Sequence, residues 1–293
     1  SYLYKLPENV QYKVKAVYHA LKGNPEKQLA ILKMWADIYP DDIGPHEKLA
    51  EHYWRKNQFD KTISEYKRIL ELDPEQYYCI SKIGYLYKRK GEFDTALKYY
   101  EQYAELFPDE CKSFTAIGDL YKTMGDYPRA KSFYNKAIAI EPGEISNMLR
   151  LAKIEYRTGN FGKAFEQYED ALKLCKTPED RESVYEGFYY LYYIRGQMSK
   201  SLEYLHLLFD EKEKLGQPLN PLVTKLFYLD VYIKAGKKQD ALRIIQTIEL
   251  QLQPPYHKFI SLGYLIIYLE LGDTVNTVKA EIALDEFEQA YNK

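Results

Sequence analysis

Prolines and turn residues recur in this chain at a fixed spacing, and that spacing constrains its fold more than any other feature. Four prolines are each 34 residues apart: Pro40, Pro74, Pro108 and Pro142. Eight turn residues keep this spacing at first and then follow gaps of 37, 40 and 36 residues: Gly23, Asn57, Gly91, Gly125, Gly159, Gly196, Gly236 and Gly272. Eight turns in one register predict about eight copies of one structural unit.

Each copy has the pattern of two helices joined by a turn. Apolar and aromatic residues return at steps of three and four in the second half of a repeat, as at Phe93, Ala96 and Tyr100. The first half places a small residue among apolar ones, as in IGYLY around Gly84, which allows two helices to approach closely. Such a hairpin cannot bury its apolar face alone. We therefore expect an all-α solenoid of stacked hairpins.

These residues resemble the tetratricopeptide family, whose pattern is Leu-Gly, a Tyr three residues further on, a Gly turn, then Ala, Tyr, Ala and Pro. The matching residues in two consecutive repeats are Ile83, Gly84, Tyr87, Gly91, Ala96, Tyr100 and Pro108, then Ile117, Gly118, Tyr121, Gly125, Ala130, Tyr134, Ala137 and Pro142. The resemblance implies a right-handed α-α superhelix of about eight helix-turn-helix repeats.

The repeats divide into a regular and a divergent part. We expect a regular array over 1–180, with repeats at 9–42, 43–76, 77–110, 111–144 and 145–180, and divergent repeats of the same solenoid over 181–293. Tyr189 stands where earlier repeats have Gly or Ala, so its helix pair is expected to be more widely spaced. Most of the 31 tyrosines are interpreted as packing residues, including those at repeat positions: Tyr87, Tyr100, Tyr121, Tyr134 and Tyr168.

Composition narrows the functional classes. A formal net charge of -2 argues against binding to nucleic acid or to an anionic membrane. No apolar run approaches the ~20 residues of a membrane-spanning helix, and no signal peptide is visible. Cys79, Cys111 and Cys175 form no CxxC pair, which predicts free thiols in a reducing compartment. We therefore expect a cytoplasmic protein.

No residue pattern indicates catalysis or a cofactor. His46 and His52 are six residues apart, whereas the HExxH zinc arrangement needs histidines four residues apart on one helical face. The chain contains no GxGxxG, Walker or GxSxG sequence. We expect neither enzymatic activity, nor a cofactor, nor a bound metal.

The resemblance also implies where a partner binds, because the first helix of each repeat lines the concave groove in this family. The groove positions are Tyr78, Lys82, Tyr85, Lys88, Arg89, Lys112, Asp119, Lys122, Arg150, Lys153, Tyr156, Arg157, Tyr190 and Tyr193. Their charges are mostly positive, which favours an extended acidic peptide or a C-terminal carboxylate. The alternative is that these Lys and Arg residues only solvate a helical surface.

The last repeats present apolar residues instead. The interface candidates are Phe227, Phe259, Ile266, Leu284, Phe287 and Tyr291. An apolar solenoid end suggests self-association, another partner or a longer natural chain, since solenoids usually end in a polar cap. The alternative is that these residues bury one another.

Two functional hypotheses follow. The first is a non-enzymatic scaffold that binds a peptide or partner protein in a basic, Tyr-lined groove. The second is a regulatory or sensor module of a larger signalling protein, such as a kinase, a cyclase or a transcription regulator, whose other domains are absent from this sequence. A small-ligand sensor that tightens on binding is a more distant option.

Overall fold

The computed structural model describes residues 5–215, 228–251 and 257–291, and these ranges contain sixteen helices and no strand. Backbone packing divides the chain into two compact units, residues 1–142 and 143–293. The expected boundary at residue 180, between regular and divergent repeats, falls inside the second unit and stays a prediction.

The first unit consists of four consecutive helical hairpins. Its helices are α1 (Glu8–Leu21), α2 (Pro25–Ile38), α3 (Ile43–Arg55), α4 (Phe59–Leu72), α5 (Tyr78–Lys90), α6 (Phe93–Leu106), α7 (Cys111–Thr123) and α8 (Tyr127–Ile140). Each helix packs against the next one in sequence through α8, which is the arrangement of a helical repeat solenoid.

The second unit continues the same pattern of paired helices. Its helices are α9 (Ile145–Arg157), α10 (Phe161–Leu174), α11 (Pro178–Ile194), α12 (Met198–Lys214), α13 (Leu229–Lys234), α14 (Lys238–Gln251), α15 (His257–Leu271) and α16 (Thr274–Tyr291). The helix α11 begins three residues before the predicted repeat start at 181, because Thr177 and Asp180 form a capping box around Pro178.

The turns within the hairpins lie at the predicted turn residues. All eight predicted turn residues have a positive φ, including 80° at Gly91 and 54° at Asn57. Left-handed backbone costs little for glycine and is tolerated by asparagine, so these residues end the first helix and reverse the chain. At Gly91 the reversal is held by a backbone hydrogen bond of 2.9 Å from Glu92 to Tyr87.

Buried tyrosines and small residues fill the hairpins. Tyr100, Tyr121, Tyr134 and Tyr168 are buried, as predicted, while Tyr87 is half-buried and stacks on Tyr99 with ring centroids 5.6 Å apart. A Cβ added to Gly118 would lie 2.6 Å from the Tyr134 ring. The small residues therefore make room for the rings of the second helices.

The expected wide spacing at Tyr189 is wrong. The hydroxyl of buried Ser201 on α12 donates to the backbone carbonyl of Tyr189 on α11 at 3.1 Å. The small residue at this contact is supplied by the second helix rather than the first. The Tyr189 ring packs in the apolar cluster that includes Leu202 and Leu205 of α12.

Candidate functional site

Three exposed side chains on α5 form a row of two cations with a tyrosine between them. Lys82, Tyr85 and Arg89 are spaced by three and four residues, so they share one face of the helix. Tyr85 keeps 37% of its surface exposed. Arg89 Nη1 donates to the Tyr85 hydroxyl at 3.3 Å, which fixes the two side chains relative to each other.

Trp54 of α3 completes this surface. Its ring stacks on Tyr85 with centroids 5.4 Å apart and an interplanar angle of 17°. The Lys82 ammonium lies 5.9 Å from the Trp54 ring, and the Arg89 guanidinium lies 5.3 Å from the Phe59 ring. Trp54, Lys82, Tyr85 and Arg89 are called the α5 platform below. Within the described ranges, neither of its cations forms an ion pair with a carboxylate.

Acidic groups adjoin the predicted basic positions. The Tyr78 hydroxyl donates to Glu47 at 3.0 Å, and burial is the main cause that raises the Tyr78 pKa, so the hydroxyl stays a donor. On α7, Lys122 Nζ lies 2.6 Å from Asp119, which also accepts a 2.8 Å hydrogen bond from Tyr134. The charge of Lys122 is therefore largely compensated, unlike the charges of the platform.

The remaining predicted positions of the first unit differ in exposure. Lys112 is exposed at the start of α7, whereas Lys88 is half-buried on α5 and takes part in further contacts. The exposed predicted positions of this unit are Tyr78, Lys82, Tyr85, Arg89 and Lys112, and those engaged by neighbours are Tyr78, Lys88, Asp119 and Lys122.

In the second unit the predicted positions lie on α9 and α11. Lys153, Arg157 and Tyr190 are exposed, and Arg150 and Tyr156 are half-buried. Tyr193 is engaged within the unit, because its hydroxyl donates to Asp230 at 2.8 Å and Lys234 Nζ lies 4.7 Å from its ring. Tyr193 is therefore a packing residue in this structure as well as a predicted groove position.

The predicted apolar interface is described only in part. Ile266 is 43% exposed. Phe227 and the side chains of Phe259, Leu284, Phe287 and Tyr291 lie outside the described residues. Other exposed apolar residues of α15 and α16 are Leu269, Val275, Val278 and Ile282. An apolar row on α16, with spacings of three and four residues, is thus present at the surface.

The histidines and thiols have structural environments. His46 Nδ1 lies 2.7 Å from Glu65, and no group of three metal-ligating side chains occurs among the described residues. Cys79 and Cys111 are buried and Cys175 is half-buried. Burial raises the pKa of the Cys79 and Cys175 thiols to about 11, so both stay protonated at neutral pH.

No helix in the described ranges has both the length and the apolar character needed to cross a bilayer.

Comparisons with known proteins match the repeats directly. Two family models of the tetratricopeptide repeat match the chain, one over residues 78–110 and the other over residues 112–144. A comparison with curated protein sequences finds no significant match.

Solved structures share the fold. The C-terminal part of a TPR repeat-containing protein from Cytophaga hutchinsonii aligns with a TM-score of 0.55 and 18% identity, over 73% of this chain and 85% of that one. A tetratricopeptide repeat protein from Parabacteroides merdae aligns with a TM-score of 0.52 and 16% identity, over 83% of this chain and 92% of that one. The chain therefore contains tetratricopeptide repeats, and this confirms the family that its residues resemble.

Proposed function

We propose that this chain is a protein-interaction scaffold that binds an extended acidic peptide, or the acidic segment of a partner protein, on the α5 platform. Tetratricopeptide repeats are generally non-catalytic interaction modules, which supports the scaffold role. The observation that carries the site is the platform itself, where two exposed cations flank a stacked Trp–Tyr pair.

The chemistry of the platform favours carboxylates. Arg89 presents a planar set of donors that suits a carboxylate, and its hydrogen bond to Tyr85 limits the side-chain freedom lost on binding. The stacked rings of Trp54 and Tyr85 supply rigid contact area of the kind enriched in binding hot spots. Lys112 and Lys153 are exposed cations that extend the same preference within each unit.

Charge reversal at the platform tests this proposal. Peptides are first selected from a randomised 12-residue phage library with the wild-type protein, and then titrated as fluorescein conjugates by fluorescence polarisation. Lys82→Glu/Arg89→Glu is expected to raise Kd at least ~10-fold, equivalent to about 1.4 kcal/mol, because it replaces attraction by repulsion. Added salt is expected to weaken wild-type binding, since the charges are exposed.

The matched control makes the same change in charge elsewhere. Lys98 and Lys163 are exposed on α6 and α10, and Lys98→Glu/Lys163→Glu is expected to leave Kd unchanged. Equal affinity of the platform variant and the wild type for every selected peptide would refute the platform as the binding site.

A second candidate function is self-association with another copy of this chain. The apolar row on α16, with Val275 65% exposed, supports it. The sequence of α16 contains four acidic residues and one lysine, whereas residues 5–22 contain four lysines and one glutamate. In that basic segment, Val14 and Tyr18 of α1 are also exposed. The apolar row on an acidic helix of one copy therefore complements exposed apolar residues on a basic helix of another.

A further inference from the structure

A cleft in the first unit, separate from the α5 platform, lies between α1 and α3. Its volume is about 260 Å³. This is below the ~300–1,000 Å³ of typical small-molecule sites, and it suits a single side chain. Its lining includes Val17, Ala20, Leu21, Trp35, Gly44 and Glu51.

The floor of the cleft is held in place by hydrogen bonds. Trp35 Nε1 donates to Asp42 Oδ2 at 3.0 Å, and the other oxygen of Asp42 caps α3 by accepting from the Gly44 amide at 2.9 Å. A Cβ added to Gly44 would lie 3.1 Å from the Trp35 ring, so glycine permits this close approach. The indole is therefore oriented before any ligand arrives.

The wall formed by α1 is apolar and open to solvent. Val17, Ala20 and Leu21 are all exposed, and Leu21 keeps 84% of its surface accessible. Covering apolar surface of this kind is favourable, because it releases ordered water. A ligand with an apolar side chain gains from this wall, whereas a charged one would have to be desolvated against it.

Of the charged groups at the rim, Glu51 is paired with cations, whereas Lys13 and Glu47 form no ion pair within the described residues. Glu51 contacts Lys48 at 3.2 Å and also accepts from Arg55, while Glu47 accepts from Tyr78. Burial and the nearby Lys56, Arg55 and Lys33 lower the His52 pKa, so this ring is neutral at neutral pH. The rim therefore carries charges of both signs, and the preference for an apolar side chain comes from the α1 wall and the Trp35 floor.

The cleft and the α5 platform are close enough for one peptide to reach both. Glu51 at the rim and Trp54 of the platform are three residues apart on α3, a rise of roughly 4.5 Å. With neighbouring helices about 10 Å apart, roughly 10–15 Å separate the cleft from Lys82. An extended peptide spans that distance with about three to five residues.

We propose that the cleft binds one large apolar side chain of an extended peptide whose carboxylates, three to five residues away, contact Lys82 and Arg89. The proposal rests on the platform function and adds a specificity rule to it. A peptide with carboxylates but no large apolar side chain contacts the platform and leaves the cleft empty. The preferred ligand combines Leu, Ile, Met or Phe with Asp or Glu at that separation.

Filling the cleft provides the test. Ala20→Phe introduces a ring at an exposed position on the cleft wall, and Leu21→Ser removes apolar surface from a residue that contributes little to the core. Peptides selected from the randomised library are expected to show the apolar–acidic spacing. Ala20→Phe should weaken their binding at least ~10-fold and Leu21→Ser about 3-fold or more, while circular dichroism confirms unchanged folding.

Ala30→Phe on the exposed surface of α2 is the matched control and should retain wild-type affinity. Replacing the apolar residue of a selected peptide by Ser should reproduce the loss seen with Ala20→Phe. Peptides that bind Ala20→Phe as well as wild type but lose affinity for Lys82→Glu/Arg89→Glu would overturn the cleft and leave the platform standing. Selection of no peptide, or binding indifferent to both variants, would count against both sites.

Discussion

At the scale of single residues, close packing within a hairpin depends on a glycine, which has no side chain. Gly118 faces the ring of Tyr134, which is fully buried and hydrogen-bonded to Asp119. The ring cannot move aside without losing that bond or opening a void. Glycine is therefore required at this position because the ring leaves no room for a Cβ, and not because the backbone adopts a positive φ.

Gly118→Ala is expected to destabilise the protein by about 1–3 kcal/mol, because the new methyl group overpacks the hairpin. Gly162→Ala is the matched control, since a Cβ there has no atom within 4 Å and the residue lies in helix α10. That variant should gain about 0.5–1 kcal/mol. Urea denaturation followed by circular dichroism measures both, and equal stability of the two variants would contradict this account.

At the scale of helices, α11 and α12 are joined by ion pairs as well as by apolar packing. Glu211 is 5% exposed and accepts from Arg181 at 3.0 Å and from Lys214 at 2.8 Å. Lys212 contacts Glu182 on the same pair of helices. The hydrogen bond from Arg181 is the main cause that keeps the Glu211 pKa below its ordinary value.

Glu211→Gln is expected to lower the free energy of unfolding by about 1–2 kcal/mol at pH 7, since a partly buried charged hydrogen bond is lost. Because the folded state lowers this pKa, the contribution is present above the unfolded pKa of about 4.3. It is lost as pH falls through the lower pKa of the folded state. The difference from wild type should therefore shrink in urea titrations at progressively lower pH.

Glu213→Gln serves as the control for that experiment, because Glu213 is exposed on the same helix. Glu213→Gln should change the free energy of unfolding by no more than about 0.5 kcal/mol at pH 7 and at acidic pH. A deficit for Glu211→Gln that stayed constant down to pH 3 would show that the ion pair is not its source.

At the scale of the whole molecule, the proposed self-association joins α1 of one copy to α16 of another. A contact between two different faces produces a closed assembly if the rotation between copies closes, and an open chain if it does not. Concentration-dependent association is therefore the expected behaviour of the wild type.

Val278→Glu, together with Ile282→Glu, is expected to abolish this association, because two carboxylates enter the apolar row of an acidic helix. Sedimentation velocity over a concentration series measures the effect, and Lys13→Glu/Lys15→Glu on α1 should act in the same direction. Ala283→Glu, exposed on α16 but turned well away from Val278 and Ile282 around the helix, is the control. Wild-type protein that remained monomeric throughout the series would eliminate the proposed contact.

Much of the fold was predictable because its determinants are local. Gly91 and Asn57 act through their own backbone angles, and the three- and four-residue steps place Lys82, Tyr85 and Arg89 on one helical face. The same periodicity correctly assigns Tyr134 to the interior. These inferences need only the geometry of one helix or one turn.

The rest depends on contacts between distant residues. Trp54 joins the platform by stacking on a tyrosine 31 residues later, and Glu47 accepts from Tyr78 across the same separation. The Trp35 floor depends on a side-chain bond to Asp42. Spacing within one repeat contains no signal for such pairs. Glu47 and Trp54 occupy groove positions of the repeat at 43–76, so a groove prediction that included this repeat would contain both residues.

The placement of the two tryptophans makes the protein its own optical probe. The chain has only two, Trp35 beneath the cleft and Trp54 in the platform, and both belong to the first unit. Excitation of indole at 295 nm therefore monitors that unit and both candidate sites without a label. Unfolding of residues 143–293 does not directly change the indole fluorescence, because this unit contains no tryptophan. It has to be followed through tyrosine absorbance or far-ultraviolet ellipticity.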